Sequence, residues 1–88
     1  MPEIESWTEA AAHRQAIVNE LPIPDRRRQT PAREPIPVSA RIRWERDGQE
    51  VIQTEATAWT TISVLVTISD RRWPTRGVWL PAHDVTRR

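Results

Sequence analysis

Apolar and polar residues alternate along the chain from Val38 onward, and this alternation limits the possible folds more than any other feature. A period of two is typical of a β-strand with one buried face, because successive side chains point to opposite sides. The first apolar set comprises Val38, Ala40, Ile42 and Trp44. The second comprises Ile62, Val64, Val66 and Ile68. With a short strand at residues 78–80 that Pro81 ends, the sequence predicts a small all-β domain over residues 38–88.

The tripeptide Arg46-Asp47-Gly48 marks a turn between the first two strands. A loop of its last two residues pairs Ile42 with Gln53. A loop of all three residues, with Gly48 in the left-handed conformation, pairs Ile42 with Ile52. We favour the second register because it gathers the apolar residues on one face. That face comprises Val38, Ala40, Ile42, Ile52, Ala56 and Ala58, and the opposite face comprises Arg41, Arg43, Gln53, Glu55 and Trp59. The next turn or bend is expected near residues 59–61.

Residues 1–21 have a helical periodicity instead. Ser6 and Glu9 form the pattern of a capping box, and Pro22 ends the run because proline lacks an amide hydrogen. One helical face, at the i, i+3, i+4, i+7 spacing, comprises Trp7, Ala10, Ala11, Arg14, Ile17, Val18 and Leu21. The sequence therefore predicts an N-terminal amphipathic α-helix. A helix this short is marginally stable alone, so we expect it to dock on its own domain, on a second copy or on a partner protein.

Residues 22–37 are rich in proline and carry the run Arg26, Arg27 and Arg28. Proline lacks the amide donor that helices and sheet interiors need, so its density here predicts a semi-extended linker. The arginine run either solvates this linker or adds to a nucleic-acid site. The predicted organisation is therefore a helix over residues 1–21, a Pro/Arg-rich linker over 22–37 and a β domain over 38–88.

The composition excludes several classes of protein. The chain has no cysteine, so disulfides and thiolate metal sites are excluded. No apolar run is long enough to span a membrane, and residues 1–21 lack the basic start and apolar stretch of a secretory signal. We therefore expect an intracellular protein with no membrane partner. The formal net charge is only +1, so the chain has no strong global electrostatic field.

Catalytic residues are not evident in the sequence. The only histidines are His13, beside Arg14 in the predicted helix, and His83, next to Asp84. Adjacent side chains usually point apart, so we interpret the His83-Asp84 pair as part of a structural turn. No nucleophile motif, Gly-rich phosphate loop or metal-ligand spacing is present. We expect neither an enzyme nor a bound metal or cofactor.

A basic and aromatic loop over residues 70–77 is the strongest candidate for nucleic-acid binding. Guanidinium groups contact phosphates, and an indole stacks on an unpaired base. The candidate residues are Arg71, Arg72, Trp73 and Arg76, with Arg26, Arg27 and Arg28 as possible additions. The other interpretation is a solvated hairpin loop whose Trp73 folds back over the domain, since tryptophan is usually mostly buried.

Residues 77–85, with the sequence Gly-Val-Trp-Leu-Pro-Ala-His-Asp-Val, resemble the end of SH3-like barrels. Those domains end in a strand, a 3₁₀ turn and a last short strand, so the resemblance implies a small β-barrel. It also implies a groove for proline-rich peptides, in which Pro81 matches the groove proline. His83 and Asp84 stand where asparagine and tyrosine are usual, so the aromatic wall of that groove is incomplete.

The Asp-Gly turn and the Trp-Leu-Pro-Ala ending are also similar to small uncharacterised proteins of actinobacteria and their phages. This second resemblance implies a cytoplasmic protein or a component of a phage particle, and it implies no activity.

These observations predict a mainly β protein, a small SH3-like barrel preceded by an amphipathic helix and a Pro-rich linker. We expect it to act as a non-enzymatic protein-interaction or assembly module, with the helix docked in a groove of a partner or of another copy. The expected protein-binding residues are Trp7, Ile17, Val18, Leu21 and Trp59. The alternative is a nucleic-acid-binding module that uses the Arg/Trp loop.

Overall fold

The computed structural model describes residues 12–88, which form a single antiparallel β-sheet with two short 3₁₀ turns. The sheet has the strand order β4-β3-β2-β1-β5, so a mainly β architecture is confirmed. The elements in chain order are η1 (Arg26–Arg28), β1 (Thr30–Trp44), β2 (Gly48–Trp59), β3 (Ser63–Thr67), β4 (Gly77–Pro81), η2 (Ala82–Asp84) and β5 (Val85–Arg87). The edge strands β4 and β5 do not pair with each other, so the strands form an open sheet rather than the closed barrel that we expected.

Strand β1 begins at Thr30, well before the alternation that starts at Val38. The prediction of a linker that avoids the sheet is therefore wrong for residues 30–37, which pair with β2. Their prolines are tolerated because β5 pairs only with residues 38–40 of β1, which leaves the earlier part of β1 at an edge of the sheet. Proline at an edge removes no hydrogen bond of the ladder and also blocks pairing with other chains.

The β1–β2 hairpin has neither of the two registers that the turn sequence suggests. Ala40 lies opposite Ile52, and Trp44 lies opposite Gly48, so the connecting turn is made of residues 45–47. The observed register differs by two residues from the one we favoured, and a shift of two keeps the side chains of residues 38–44 and 48–56 on their predicted faces. Gly48 has a φ of +76°, which confirms its left-handed conformation.

A β-bulge at residue 57 changes the position of Trp59. On one side of the bulge Ala56 lies opposite Val66, and on the other side Trp59 lies opposite Val64. The extra residue reverses the alternation of faces, so Trp59 shares the face of Ala56 and Val64. Our placement of Trp59 on the outer face with the arginines of β1 is therefore wrong.

One continuous core lies on the inner face of the sheet. It is formed mainly by alternate residues of β1 and β4, together with one residue each from β2, β3, the segment after β3 and the N-terminal part of the chain. Its buried members are Ile17, Val38, Ala40, Ile42, Trp44, Ala56, Val66, Ile68, Val78 and Leu80. Trp79 is also buried, on the opposite side of β4 from Val78 and Leu80.

The predicted N-terminal helix is wrong for residues 14–21, which are not helical. Ala12 and His13 have a helical conformation, whereas residues 1–11, including Trp7, lie outside the described part of the chain. Ile17 forms an isolated antiparallel bridge with Trp44 and is 4% exposed. We call residues 15–21 the N-terminal strap. Its backbone pairs with distant strands, and these hydrogen bonds replace those of a helix.

The N-terminal strap connects the end of β1 to β4 on one side of the open sheet. At β1, the Val18 amide donates to the Arg43 carbonyl at 2.6 Å. At β4, the Leu21 amide donates to the Trp79 carbonyl at 2.8 Å. The strap therefore covers an unpaired edge of β1 and an unpaired edge of β4 with one segment. We expected residues 1–21 to dock on their own domain, on a second copy or on a partner protein. Residues 15–21 dock on their own domain.

Candidate functional site

The Arg72 side chain is the centre of an ion-pair cluster. Its guanidinium group lies 3.0 Å from Asp47, 2.6 Å from Glu50 and 2.7 Å from Asp70. The same group lies 4.0 Å above the ring centroid of Trp44, whose indole nitrogen donates to Glu50 at 2.9 Å. Four of the five N–H donors of Arg72 therefore bind carboxylates within the domain, and the face of its guanidinium group lies on an indole, so little of this group is free for a phosphate.

The ionisation of this cluster follows from its hydrogen bonds. The pKa of Asp47 is lowered mainly by hydrogen bonds from Gln15 and Arg72. The pKa of Asp70 is lowered mainly by its hydrogen bond from Arg72, against a smaller opposing effect of burial. The pKa of Arg72 is raised above its already high value, chiefly by Asp70. The charged forms are therefore the stable forms near neutral pH.

Trp73 folds back on the domain, as the second interpretation of the basic loop proposes. Its indole nitrogen donates to the Gly77 carbonyl at 3.1 Å, and its ring packs against the core. Of the candidate nucleic-acid residues in this loop, Arg71 and Arg76 are exposed, whereas Arg72 and Trp73 are engaged within the domain. The loop therefore does not present an indole for base stacking.

Two polar side chains of the N-terminal strap hold the surrounding loops in place. Gln15 is buried, and its side-chain oxygen accepts the Arg46 and Asp47 amides, each at 3.1 Å. Asn19 donates to the Arg41 carbonyl at 2.9 Å, and its side-chain oxygen accepts the Arg43 amide at 2.9 Å. Sequence analysis missed both residues because single Gln and Asn residues give no pattern.

The Asp84 carboxylate is buried and has a structural role in η2. It accepts a hydrogen bond from Asn19 at 3.1 Å and lies 3.5 Å from the Arg41 guanidinium. His83 lies 3.7 Å from Asp84, but its side chain is almost entirely exposed to solvent. This geometry agrees with the interpretation of His83-Asp84 as part of a turn. No group of three or more His, Asp or Glu residues within 12–88 is arranged to hold a metal ion.

The two most exposed large hydrophobic residues of the described chain line one groove beside the β2–β3 turn. Leu21 is hydrogen-bonded to Trp79 of β4, and from there the chain runs to Thr30, where β1 begins. On this path it lies beside the turn at residues 60–63. The groove between these segments has a volume of about 520 Å³. It contains Ile23, which is 80% exposed, and Ile62, which is 71% exposed. We call it the Ile23–Ile62 groove.

Local hydrogen bonds keep both sides of the Ile23–Ile62 groove in place. The Thr60 hydroxyl accepts the amides of Ile62 at 3.2 Å and Ser63 at 3.0 Å, which fixes the turn that projects Ile62 outward. On the other side, the Asp25 carboxylate caps η1 by accepting the Arg27 amide at 2.9 Å. The groove is therefore formed by ordered turns and does not depend on a partner for its shape.

A smaller apolar pocket of about 210 Å³ lies next to Trp59. Its other lining residues come from β1, β2, β3 and β5, and Trp59 is 37% exposed at its rim. This pocket lies on the core side of the sheet because of the bulge at residue 57. The pocket is too small for more than one side chain of a partner.

The structure separates the residues predicted to bind a protein. Ile17 lies in the core, so its predicted role as an exposed anchor is corrected to a packing role. Val18 is exposed on the N-terminal strap, Leu21 lines the Ile23–Ile62 groove, and Trp59 lines the smaller pocket. Trp7 lies outside the described residues. Sequence analysis missed Ile23 because it lies in the predicted linker. It missed Ile62 because the alternation placed it on the apolar face of a strand, whereas the structure leaves it exposed in the turn before β3.

No protein-family model, no curated protein and no solved structure matches this chain. Within residues 12–88, no helix has the length and apolar character required to cross a membrane. Conclusions about the site therefore depend on its geometry alone.

Proposed function

We propose that the chain is a non-catalytic protein-interaction or assembly module that binds an apolar segment of a partner protein in the Ile23–Ile62 groove. The single observation that carries this proposal is the exposure of two large aliphatic side chains on one preformed groove. Full burial of an isoleucine side chain contributes about 1.5–3 kcal/mol, so both together contribute roughly 3–6 kcal/mol. That is close to the free energy of a complex with a dissociation constant of about 1 mM, so further contacts are needed for stable binding.

We propose an SH3-like order of the strands, in the open sheet described above, as the architecture. The order of strand β4, 3₁₀ turn η2 and strand β5 supports it, as does the N-terminal strap, which covers the free edges of β1 and β4. The peptide groove of SH3 domains is not the site that we propose. Asp84, at the position where tyrosine is usual, is buried and bonded to Asn19, so it offers no surface to a peptide.

The nucleic-acid alternative stays a prediction with weaker support. Its two central residues, Arg72 and Trp73, make their polar contacts within the domain. Binding through this loop would require the ion-pair cluster to open.

A selection from a random peptide library displayed on phage tests the proposed function. The full chain is the bait, and the matched variants are Ile62→Glu in the groove and Val51→Glu, which alters an exposed apolar residue on β2 outside it. We expect selected peptides to bind the wild-type chain and Val51→Glu but not Ile62→Glu. Thermal unfolding confirms that both variants fold. Peptides that bind Ile62→Glu as well as the wild type, or a selection that enriches none, would refute the proposal.

A further inference from the structure

Three arginines of η1 stand at one end of the Ile23–Ile62 groove. Arg26, Arg27 and Arg28 are all exposed, and Arg28 lines the groove itself. A 3₁₀ turn has three residues per turn, so the three guanidinium groups spread around η1 rather than pointing one way. Together with Asp25, the turn has a net charge of +2. A positive rim thus adjoins an apolar groove.

These arginines differ from the two that pair with carboxylates. Arg72 and Arg41 lie within ion-pair distance of carboxylates, whereas no carboxylate within residues 12–88 pairs with any arginine of η1. The nearest carboxylate in sequence, Asp25, is engaged in the cap of the turn. The guanidinium groups of η1 therefore keep their donors available for an external acceptor.

We propose that the partner segment bound in the Ile23–Ile62 groove is acidic, with carboxylates next to its apolar anchors. This inference rests on the proposed function, and it names the chemistry of the partner. Apolar burial alone supports only weak binding, and guanidinium–carboxylate pairs add both affinity and orientation because they are bidentate. The positive rim also accelerates the encounter with an acidic segment and slows it with a basic one.

The lining of the groove favours a peptide over a nucleic acid. Its apolar residues are aliphatic, and no aromatic side chain is among the residues that line it. Proteins that bind single-stranded nucleic acid combine a basic groove with aromatic rings on which bases stack. An aliphatic groove with a basic rim instead matches the apolar and acidic side chains of an amphipathic peptide.

The composition and salt dependence of the peptides selected above test this inference. The variant Arg27→Gln with Arg28→Gln removes the charge of Arg28 in the groove lining and that of its neighbour in η1, and Arg33→Gln with Arg76→Gln removes two exposed charges elsewhere. We expect selected peptides to contain Asp or Glu beside large apolar residues. We expect the first variant to weaken binding about tenfold at low salt and to reduce its salt dependence, and the second to change it less than about twofold. Fluorescence anisotropy of labelled peptides measures both effects.

Each outcome separates this inference from the proposed function. Peptides without acidic residues whose binding still depends on Ile62 would refute the acidic partner and leave the docking groove intact. Equal effects of the two double variants on binding would also refute the acidic partner and leave the docking groove intact. Absence of any binding that depends on Ile62 would refute both proposals. A labelled single-stranded oligonucleotide serves as the third arm, and tighter binding of it than of the peptides, with loss in Arg27→Gln/Arg28→Gln, would identify a nucleic-acid site instead.

Discussion

Replacement of Arg72 by alanine is expected to destabilise the fold by about 3 kcal/mol. The guanidinium group donates two hydrogen bonds to Asp70, at 2.9 and 2.7 Å, with both side chains mostly shielded from solvent. This fork contributes about 1–2 kcal/mol, and the cation–π contact with Trp44 adds about 1 kcal/mol. Asp47 and Glu50 are more exposed, so their pairs add little. Loss of the cation also leaves three carboxylates facing one another.

Urea unfolding of Arg72→Ala and Arg71→Ala, followed by circular dichroism, measures this effect against a matched control. Arg71 is an exposed neighbour that makes no ion pair with residues 12–88, so its replacement should cost less than about 0.5 kcal/mol. For a domain of this size, about 3 kcal/mol corresponds to a decrease of Tm of roughly 12–24 °C. A double-mutant cycle with Asp70→Asn isolates the fork. Equal stabilities of the two alanine variants would show that the cluster is solvated and contributes nothing.

Three further perturbations test the N-terminal strap, the turn and the cluster. Ile17→Ala should destabilise the chain by about 2–4 kcal/mol because it leaves a cavity in the core, whereas Val18→Ala on the exposed side should cost less than about 0.5 kcal/mol; equal losses in chemical denaturation would contradict docking of the strap. Gly48→Ala should cost about 1–2 kcal/mol through backbone strain alone, since a Cβ there meets no atom within 4 Å, and a measured loss near zero would contradict the left-handed φ. Because the pKa of Asp70 in the folded chain lies below its ordinary value of 3.8, the free energy of unfolding should fall as the pH drops below about 4, and the fall should be shallower in Asp70→Asn; identical pH profiles would argue against the ion pair.

Local patterns in the sequence were sufficient for the strands and their faces. A period of two identified the buried residues at the end of β1, and it survived a wrong hairpin register because the error was an even number of residues. Of the second apolar set, Val66 and Ile68 are buried, whereas Ile62 is exposed. Gly48 and Pro81 marked a turn and a strand end through backbone constraints that depend on no distant residue. These features are local, so one sequence contains enough information to predict them.

The N-terminal strap was missed because its buried residues are not all apolar. Gln15 and Ile17 are buried while Ala16 and Val18 are exposed, which is an alternation of burial with a period of two. Hydropathy hides this alternation, since a buried glutamine looks like a surface residue and an exposed valine looks like a core residue. The apolar residues of this segment have helical spacing by coincidence, and that spacing led to the predicted helix. Only the carbonyl and amide partners on distant strands determine the extended conformation.

The candidate site was mostly beyond prediction for a similar reason. Asp47, Glu50 and Asp70 are spread over two segments of the chain, and no spacing rule connects them to Arg72. The bulge at residue 57, which moves Trp59 to the other face, carries no glycine to mark it. The arginine run of η1 was identified from its charge. Its place beside Ile23 and Ile62 depends on the path of the chain from Leu21, which is bonded to β4, to the start of β1.

The N-terminal strap imposes an order on folding as the chain emerges from the ribosome. The hairpin of β1 and β2 joins neighbouring segments and can form early, because the loop that closes it is short. The strap is synthesised before either strand, yet its bond to Trp79 requires a residue made almost at the end of the described chain. Throughout translation of the intervening residues, Ile17 can already pair with Trp44, but Leu21 stays without its partner. A nascent chain that stalls before Trp79 therefore holds the strap at one end only and leaves Leu21 open to chaperones.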